Sequence, residues 1–150
     1  PTVQLASDSK SAGRWNTNSG GEYYACGIGS SIAGRGADLL LVDDPHSEQD
    51  VINGNFGVFE KAYEWFTYGA RTRLMPGGRV AIIQTRWHMD DLTGRVTKDM
   101  GQNEKADQYE VVEFPAIFPD TDNVLWPEYW SRDELDGVKA SIPVVLCFFL

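Results

Sequence analysis

Two adjacent carboxylates, Asp43 and Asp44, follow the apolar residues 39–42 and precede Pro45. A continuous apolar run predicts a buried parallel strand, which Pro45 ends because proline has no N–H to donate. Ligands of open parallel sheets bind beyond the carboxyl ends of the strands. Asp43 there would hold a hydrated Mg²⁺, and Asp44 would orient or deprotonate a water that attacks a phosphate. The alternative is an acidic turn in which one of the two residues caps the next segment.

A second pair of polar residues, Gln84 and Thr85, closes another apolar run, so residues 79–85 predict a second buried strand. An amide and a hydroxyl beside Asp43 would sense the γ-phosphate of a nucleotide and move the chain after hydrolysis. The alternative, which is compatible, is a strand-to-helix turn in which Thr85 or Asp90 caps the following helix.

Arg35 lies between Gly34 and Gly36. Glycines on both sides leave the backbone free to present the guanidinium to a phosphate, so Arg35 is the candidate for stabilising charge during phosphoryl transfer. The alternative is a salt bridge unrelated to phosphate, with Asp38 or an acid downstream. The sequence has no Gly-x-x-x-x-Gly-Lys-Ser/Thr motif, so a phosphate-binding loop is absent from this chain.

The elements that position these residues follow from periodicity. Residues 56–74 predict a helix that ends at Pro76-Gly77-Gly78. Its apolar face is formed by Phe59, Ala62, Tyr63, Phe66 and Ala70. Residues 90–100 predict a second helix with acids in its first turn, and residues 132–140 predict a third.

The remaining segments complete the predicted order. Residues 22–26 and 109–114 predict short strands, residues 7–21 a loop, and residues 117–130 a connection rich in proline and aromatic residues. Alternating strands and helices indicate the α/β class, with a parallel sheet flanked by helices.

Bulk properties exclude several classes. A net charge of −9 argues against a general nucleic-acid-binding surface, which needs clustered Lys and Arg. No apolar run reaches the length of a membrane span. Cys26 and Cys147 match no metal or redox spacing, and we expect reduced thiols. Residues 144–150 form an abrupt apolar run, which is typical of either a truncation artefact or a strand whose neighbours are missing.

Several ordered motifs, covering residues 7–143, resemble phage terminase large subunits, the motors that package viral DNA. The motifs are Gly20-Gly21-Glu22-Tyr23-Tyr24-Ala25-Cys26-Gly27, Ile32-Ala33-Gly34-Arg35-Gly36-Ala37-Asp38-Leu39-Leu40-Leu41-Val42-Asp43-Asp44-Pro45-His46, Thr72-Arg73-Leu74-Met75-Pro76-Gly77-Gly78-Arg79, Gln84-Thr85-Arg86-Trp87-His88-Met89-Asp90-Asp91-Leu92-Thr93-Gly94 and Phe114-Pro115-Ala116-Ile117.

The resemblance implies part of an additional-strand, RecA-like P-loop NTPase domain that uses ATP and Mg²⁺. Asp43 matches the Walker B aspartate that binds magnesium. Asp44 stands where many members carry the catalytic glutamate. Gln84 and Thr85 match the coupling motif. Arg35 lies near an arginine proposed to act on a neighbouring subunit's nucleotide.

The resemblance also implies an organisation and a set of partners. Residues 1–116 would be the C-terminal part of the ATPase domain, and residues 117–150 the linker and the start of a truncated nuclease region. The whole protein would couple ATP hydrolysis to translocation of double-stranded viral DNA and cut the concatemer. It would work as a homo-oligomeric ring with the portal protein and the small terminase subunit, in the host cytoplasm and without a membrane. The chain alone is expected to be inactive.

Two other functions stay open at this point. One is a metal-dependent nuclease fragment, in which Asp43, Asp44, Asp90 and Asp91 hold two metals. The other is a non-catalytic interaction module that keeps the sheet of a motor.

Overall fold

A computed structural model describes residues 2–142 of the chain. The fold is mixed α/β, with a small parallel sheet of two strands flanked by helices and a separate antiparallel sheet of three strands. The apolar run at residues 144–150 and Cys147 lie outside the described residues. Within the described part, none of the helices is long and apolar enough to cross a membrane.

The antiparallel sheet consists of β1 (Leu5–Ser11), β2 (Arg14–Thr17) and β3 (Glu22–Tyr24), in that order. The prediction of a loop over residues 7–21 is therefore wrong, whereas the strand predicted at 22–26 is present as β3. The prediction failed because residues 7–21 are mostly polar or glycine, a composition that is typical of loops. Cross-strand contacts hold β1, β2 and β3 together. The rings of Trp15 and Tyr23, opposite each other on β2 and β3, stack with centroids 4.8 Å apart.

The parallel sheet consists of β4 (Ala37–Asp43) and β5 (Leu74–Ile83), and its register pairs Asp43 with Ile83. Both predicted strands are confirmed. β5 starts earlier than the predicted residue 79, because the chain passes from helix to strand without a separate loop. The ladder is irregular near its start, where Gly77 adopts a positive φ of 80°.

The two faces of the parallel sheet have different environments. Val42 lies in the core, and Leu40, Val80 and Ile82 pack against it. On the opposite face, Leu39, Leu41 and Ile83 are 62%, 56% and 57% exposed. The prediction of strands buried on both faces is wrong for the described residues, because the helical core packs on the Val42 face alone.

The long helix predicted at residues 56–74 is confirmed as three consecutive segments. α2 (Gly57–Glu64) continues through a π-helical turn (Trp65–Ala70) into a 3-10 turn (Arg71–Arg73). Its predicted apolar face is also confirmed. Phe59, Ala62, Phe66 and Ala70 are buried and Tyr63 packs against them. The helical stretch ends at Arg73, one residue before the predicted Leu74. A short helix that was not predicted, α1 (Glu48–Ile52), precedes α2.

Two further helices agree with their predicted positions. α3 spans Leu92–Gln102, and its N-cap is Asp91. The predicted acids in the first turn are therefore wrong, since Asp90 and Asp91 both precede the helix. α4 spans Arg132–Ser141 and begins with a capping box between Ser131 and Glu134.

The strand predicted at residues 109–114 is absent from the structure, where this segment is irregular. Val111, Val112 and Phe114 are exposed. Alternation along a sequence marks a strand only where another strand pairs with it, and no described strand pairs with this segment. The connection predicted at residues 117–130 is irregular apart from one bridge between Ile117 and Val124.

Candidate functional site

The carboxyl ends of β4 and β5 bring together the acid pair and the polar pair that follow the two strands. The backbone N–H of Asp44 donates to the carbonyl oxygen of Ile83 at 2.9 Å. In return, the backbone N–H of Thr85 donates to Asp44 Oδ1 at 3.2 Å. Residues 43–44 and 84–85 therefore form one polar edge, joined by hydrogen bonds in both directions.

Asp44 makes this turn with a φ of 41°, in the left-handed region. Aspartate and asparagine enter this region more readily than most residues, so a short acid suits the position. The alternative in which the acid pair caps the next helix is not what the structure shows. The cap of α1 is Ser47, in a capping box with Asp50.

Asp43 is exposed and has no side-chain hydrogen bond or ion pair within residues 2–142. The amide oxygen and nitrogen of Gln84 are both buried without a partner in the described structure. A buried polar group normally finds a partner, so the amide of Gln84 is one of the exceptions among the described residues. Asp43 and Gln84 together leave a carboxylate and an amide uncommitted at the end of the parallel sheet.

Side chains of these types could hold a magnesium–nucleotide complex. Mg²⁺ keeps several waters and is held by one or two carboxylates together with substrate phosphates, so Asp43 alone is an adequate protein anchor. Within the described residues, no three His, Cys, Asp or Glu side chains form a group that could hold a metal ion.

An open cleft of about 330 Å³ lies beside this edge. Its walls are Cys26, Gly27, Ile28, Leu41, Val42, Asp43, Asp44, Pro45 and Trp65. The indole Nε1 of Trp65 donates to the carbonyl oxygen of Ser30 at 2.9 Å. This bond links the glycine-rich segment at residues 27–36 to the long helix. The glycine-rich segment therefore faces the acid pair across the cleft.

Arg35 does not line the cleft. Its Nη1 donates to Glu22 Oε1, and its guanidinium lies 3.8 Å from the centroid of the Tyr24 ring. The predicted salt-bridge alternative is therefore the arrangement seen, although the partner is Glu22 of β3 and not Asp38. A role on phosphate remains a prediction.

Asp91, whose importance the sequence analysis missed, is the most heavily bonded carboxylate after β5. It is fully buried. Its oxygens accept from Arg86 Nε at 2.9 and 3.0 Å, from the N–H of Trp87 at 3.1 Å and from the N–H of Gly94 at 2.9 Å. A weaker bond comes from the N–H of His88 at 3.3 Å. The sequence feature that could have indicated this pair is Arg86, five residues before Asp91, the N-cap of α3.

His46 links the segment after β4 to α3. It is buried, and its Nε2 accepts from the N–H of Leu92 at 3.0 Å. Its ring meets that of Phe59 edge-on at 4.8 Å. Burial lowers the pKa of His46 below its ordinary value, and the charges of Asp91 and Asp50 partly oppose this shift. The neutral imidazole is the form that accepts this hydrogen bond.

No protein-family model, no curated protein and no solved structure matches the chain.

Proposed function

We propose that this chain is part of the ATPase domain of a viral terminase large subunit, in a partial P-loop fold of the additional-strand, RecA-like type. The observation that carries the proposal is the polar edge formed by residues 43–44 and 84–85. A Walker B acid pair and a coupling motif must end neighbouring parallel strands to act on one nucleotide, and β4 and β5 are such neighbours.

Each residue of the polar edge has a separate part in this proposal. Asp43, with no side-chain partner in the described chain, would hold the hydrated metal ion of Mg-ATP. Asp44 would orient the attacking water. Because its carboxylate accepts a hydrogen bond from the N–H of Thr85, a movement of Asp44 would also move the segment that follows β5. Gln84 would offer its buried amide to a polar group of the nucleotide. A Mg²⁺ ion held there would supply positive charge against the phosphates.

The same proposal includes the assembly in which the chain would act. ATP hydrolysis would drive double-stranded viral DNA into the procapsid, in a homo-oligomeric ring on the portal protein and with the small terminase subunit. The setting would be the host cytoplasm, and a nuclease domain outside this chain would cut the concatemer. The two-metal nuclease alternative loses support because Asp91 is committed to Arg86 and to backbone N–H groups.

The test is ATP turnover by the complete product of the reading frame that contains this chain. Asp43→Asn keeps the size of the side chain and removes its charge, so turnover is expected to fall at least about a hundredfold. Asp38→Asn is the matched control, since Asp38 is exposed near the opposite end of β4. The control is expected to keep its turnover.

Thermal unfolding of both variants separates chemistry from folding, and unchanged melting is expected for each. Wild-type turnover in the Asp43 variant would refute the Walker B assignment. A complete product that hydrolyses no ATP would instead favour a non-catalytic interaction module.

A further inference from the structure

We propose that Glu22 and Tyr24 of β3 are positioning residues for Arg35, and that they hold its guanidinium with the Nε and Nη2 edge directed to a phosphate group. This inference rests on the proposed function, because it assigns Arg35 a phosphate of the nucleotide held by a neighbouring copy in the ring; Arg35 does not line the cleft of its own chain. It concerns the antiparallel sheet, to which the ATPase proposal gives no role.

The first observation is that two different contacts fix the guanidinium. Glu22 Oε1 accepts from Nη1, and the ring of Tyr24 supports the guanidinium face at 3.8 Å. A single salt bridge leaves the guanidinium free to rotate about the hydrogen bond. An aromatic ring stacked against it fixes the plane of the guanidinium. Glu22 and Tyr24 are the two ends of β3, so the strand fixes both contacts relative to each other.

The second observation is that only one nitrogen of Arg35 is occupied. Within residues 2–142, Nε and Nη2 have no hydrogen-bond partner, and the side chain is 30% exposed. These two nitrogens form the edge that binds two oxygens of a phosphate or carboxylate at once.

The third observation concerns charge. Arg14 Nε lies 3.4 Å from the same Glu22 Oε1, so one carboxylate faces two guanidinium groups. The cluster keeps one net positive charge, and Glu22 therefore orients Arg35 without cancelling its attraction for an anion.

The experiment measures kcat and KM for ATP in the complete protein. Glu22→Gln is expected to lower kcat about tenfold while KM stays unchanged. A displaced guanidinium reduces the stabilisation of the transition state more than it reduces the affinity for the nucleotide. In an Arg35→Ala background, Glu22→Gln is expected to have no further effect. Tyr24→Phe keeps the ring and is expected to behave as wild type, whereas Tyr24→Ala is expected to lower kcat.

Arg14→Ala is the matched control, since it removes the other partner of Glu22 and is expected to leave kcat unchanged. A Glu22→Gln variant with wild-type kcat, or one with an equal loss in the Arg35→Ala background, would overturn the inference. Either result, together with lost turnover in Asp43→Asn, would leave the ATPase proposal standing. Wild-type turnover in Asp43→Asn would count against the ATPase proposal itself.

Discussion

The imidazole of His46 accepts a hydrogen bond from the backbone N–H of Leu92 at 3.0 Å, across 46 residues of sequence. The bond joins the segment after β4 to the first turn of α3, and both segments flank the polar edge. It requires a neutral ring, and burial lowers the pKa of His46 in the folded chain.

The stability of the chain should therefore depend on pH through His46. Because the folded pKa is below the ordinary value of 6.5, the contribution is complete above that pH and is lost as pH falls through the lowered pKa. Urea unfolding at pH 7.5 and 5.5 should show lower stability at the acidic pH. His46→Gln should flatten the dependence between these pH values, whereas His88→Gln should retain it. An unchanged dependence in His46→Gln would rule out this source.

Asp91 should be more important for stability than its acidic neighbour. Asp91→Ala removes the N-cap of α3 and leaves Arg86 without its buried partner, so the free energy of unfolding should fall by about 3 kcal/mol. Asp90→Ala changes an exposed side chain and should stay within about 0.5 kcal/mol of wild type. Urea denaturation of the two variants measures the difference. Equal losses would show that the Asp91 network does not govern the stability of this turn.

Gly94 should tolerate no side chain. A Cβ at this position would lie 2.0 Å from the carbonyl oxygen of Met89 and 2.9 Å from Nη2 of Arg86. Gly94→Ala should therefore destabilise the chain by about 3 kcal/mol. Gly101 lies in the same helix with nothing within 4 Å of a Cβ, so Gly101→Ala should be neutral or stabilising by up to about 1 kcal/mol. Thermal melting of the pair, made in parallel, tests the prediction; similar shifts would refute it.

The exposed face of β4 should govern self-association. Leu41 points away from the core and is 56% exposed, whereas its neighbour Leu40 packs against the core. Leu41→Ser should reduce association of the chain at high concentration and leave stability within about 0.5 kcal/mol. Leu40→Ser should instead destabilise it by about 2 kcal/mol. Sedimentation velocity and urea unfolding measure the two effects. Undiminished association of Leu41→Ser would show that this face is not responsible.

The sequence alone predicted the elements whose residues form a helical or a continuous apolar pattern. The face of the long helix was predictable because Phe59, Phe66 and Ala70 recur at helical spacing. β4 and β5 were predictable because their apolar runs are continuous and end in polar residues. The polar edge followed from these two strands, since parallel neighbours end on the same side.

Elements that depend on distant partners were not predictable in this way. β1 and β2 carry mostly polar side chains, and their pairing rests on the cross-strand stack of Trp15 and Tyr23. Residues 109–114 alternate like a strand but pair with no strand of the described chain. The partner of Arg35 was missed because Glu22 lies thirteen residues upstream, beyond the reach of local spacing.

The backbone amide of Asp44 donates across the gap between β4 and β5. The two strands are separated by residues 44–73, and a parallel pair forms only when its crossover packs onto the sheet. The amide hydrogen of Asp44 should therefore exchange with solvent deuterium only when the long helix leaves the sheet. The polar edge and the long helix should therefore lose protection from exchange together.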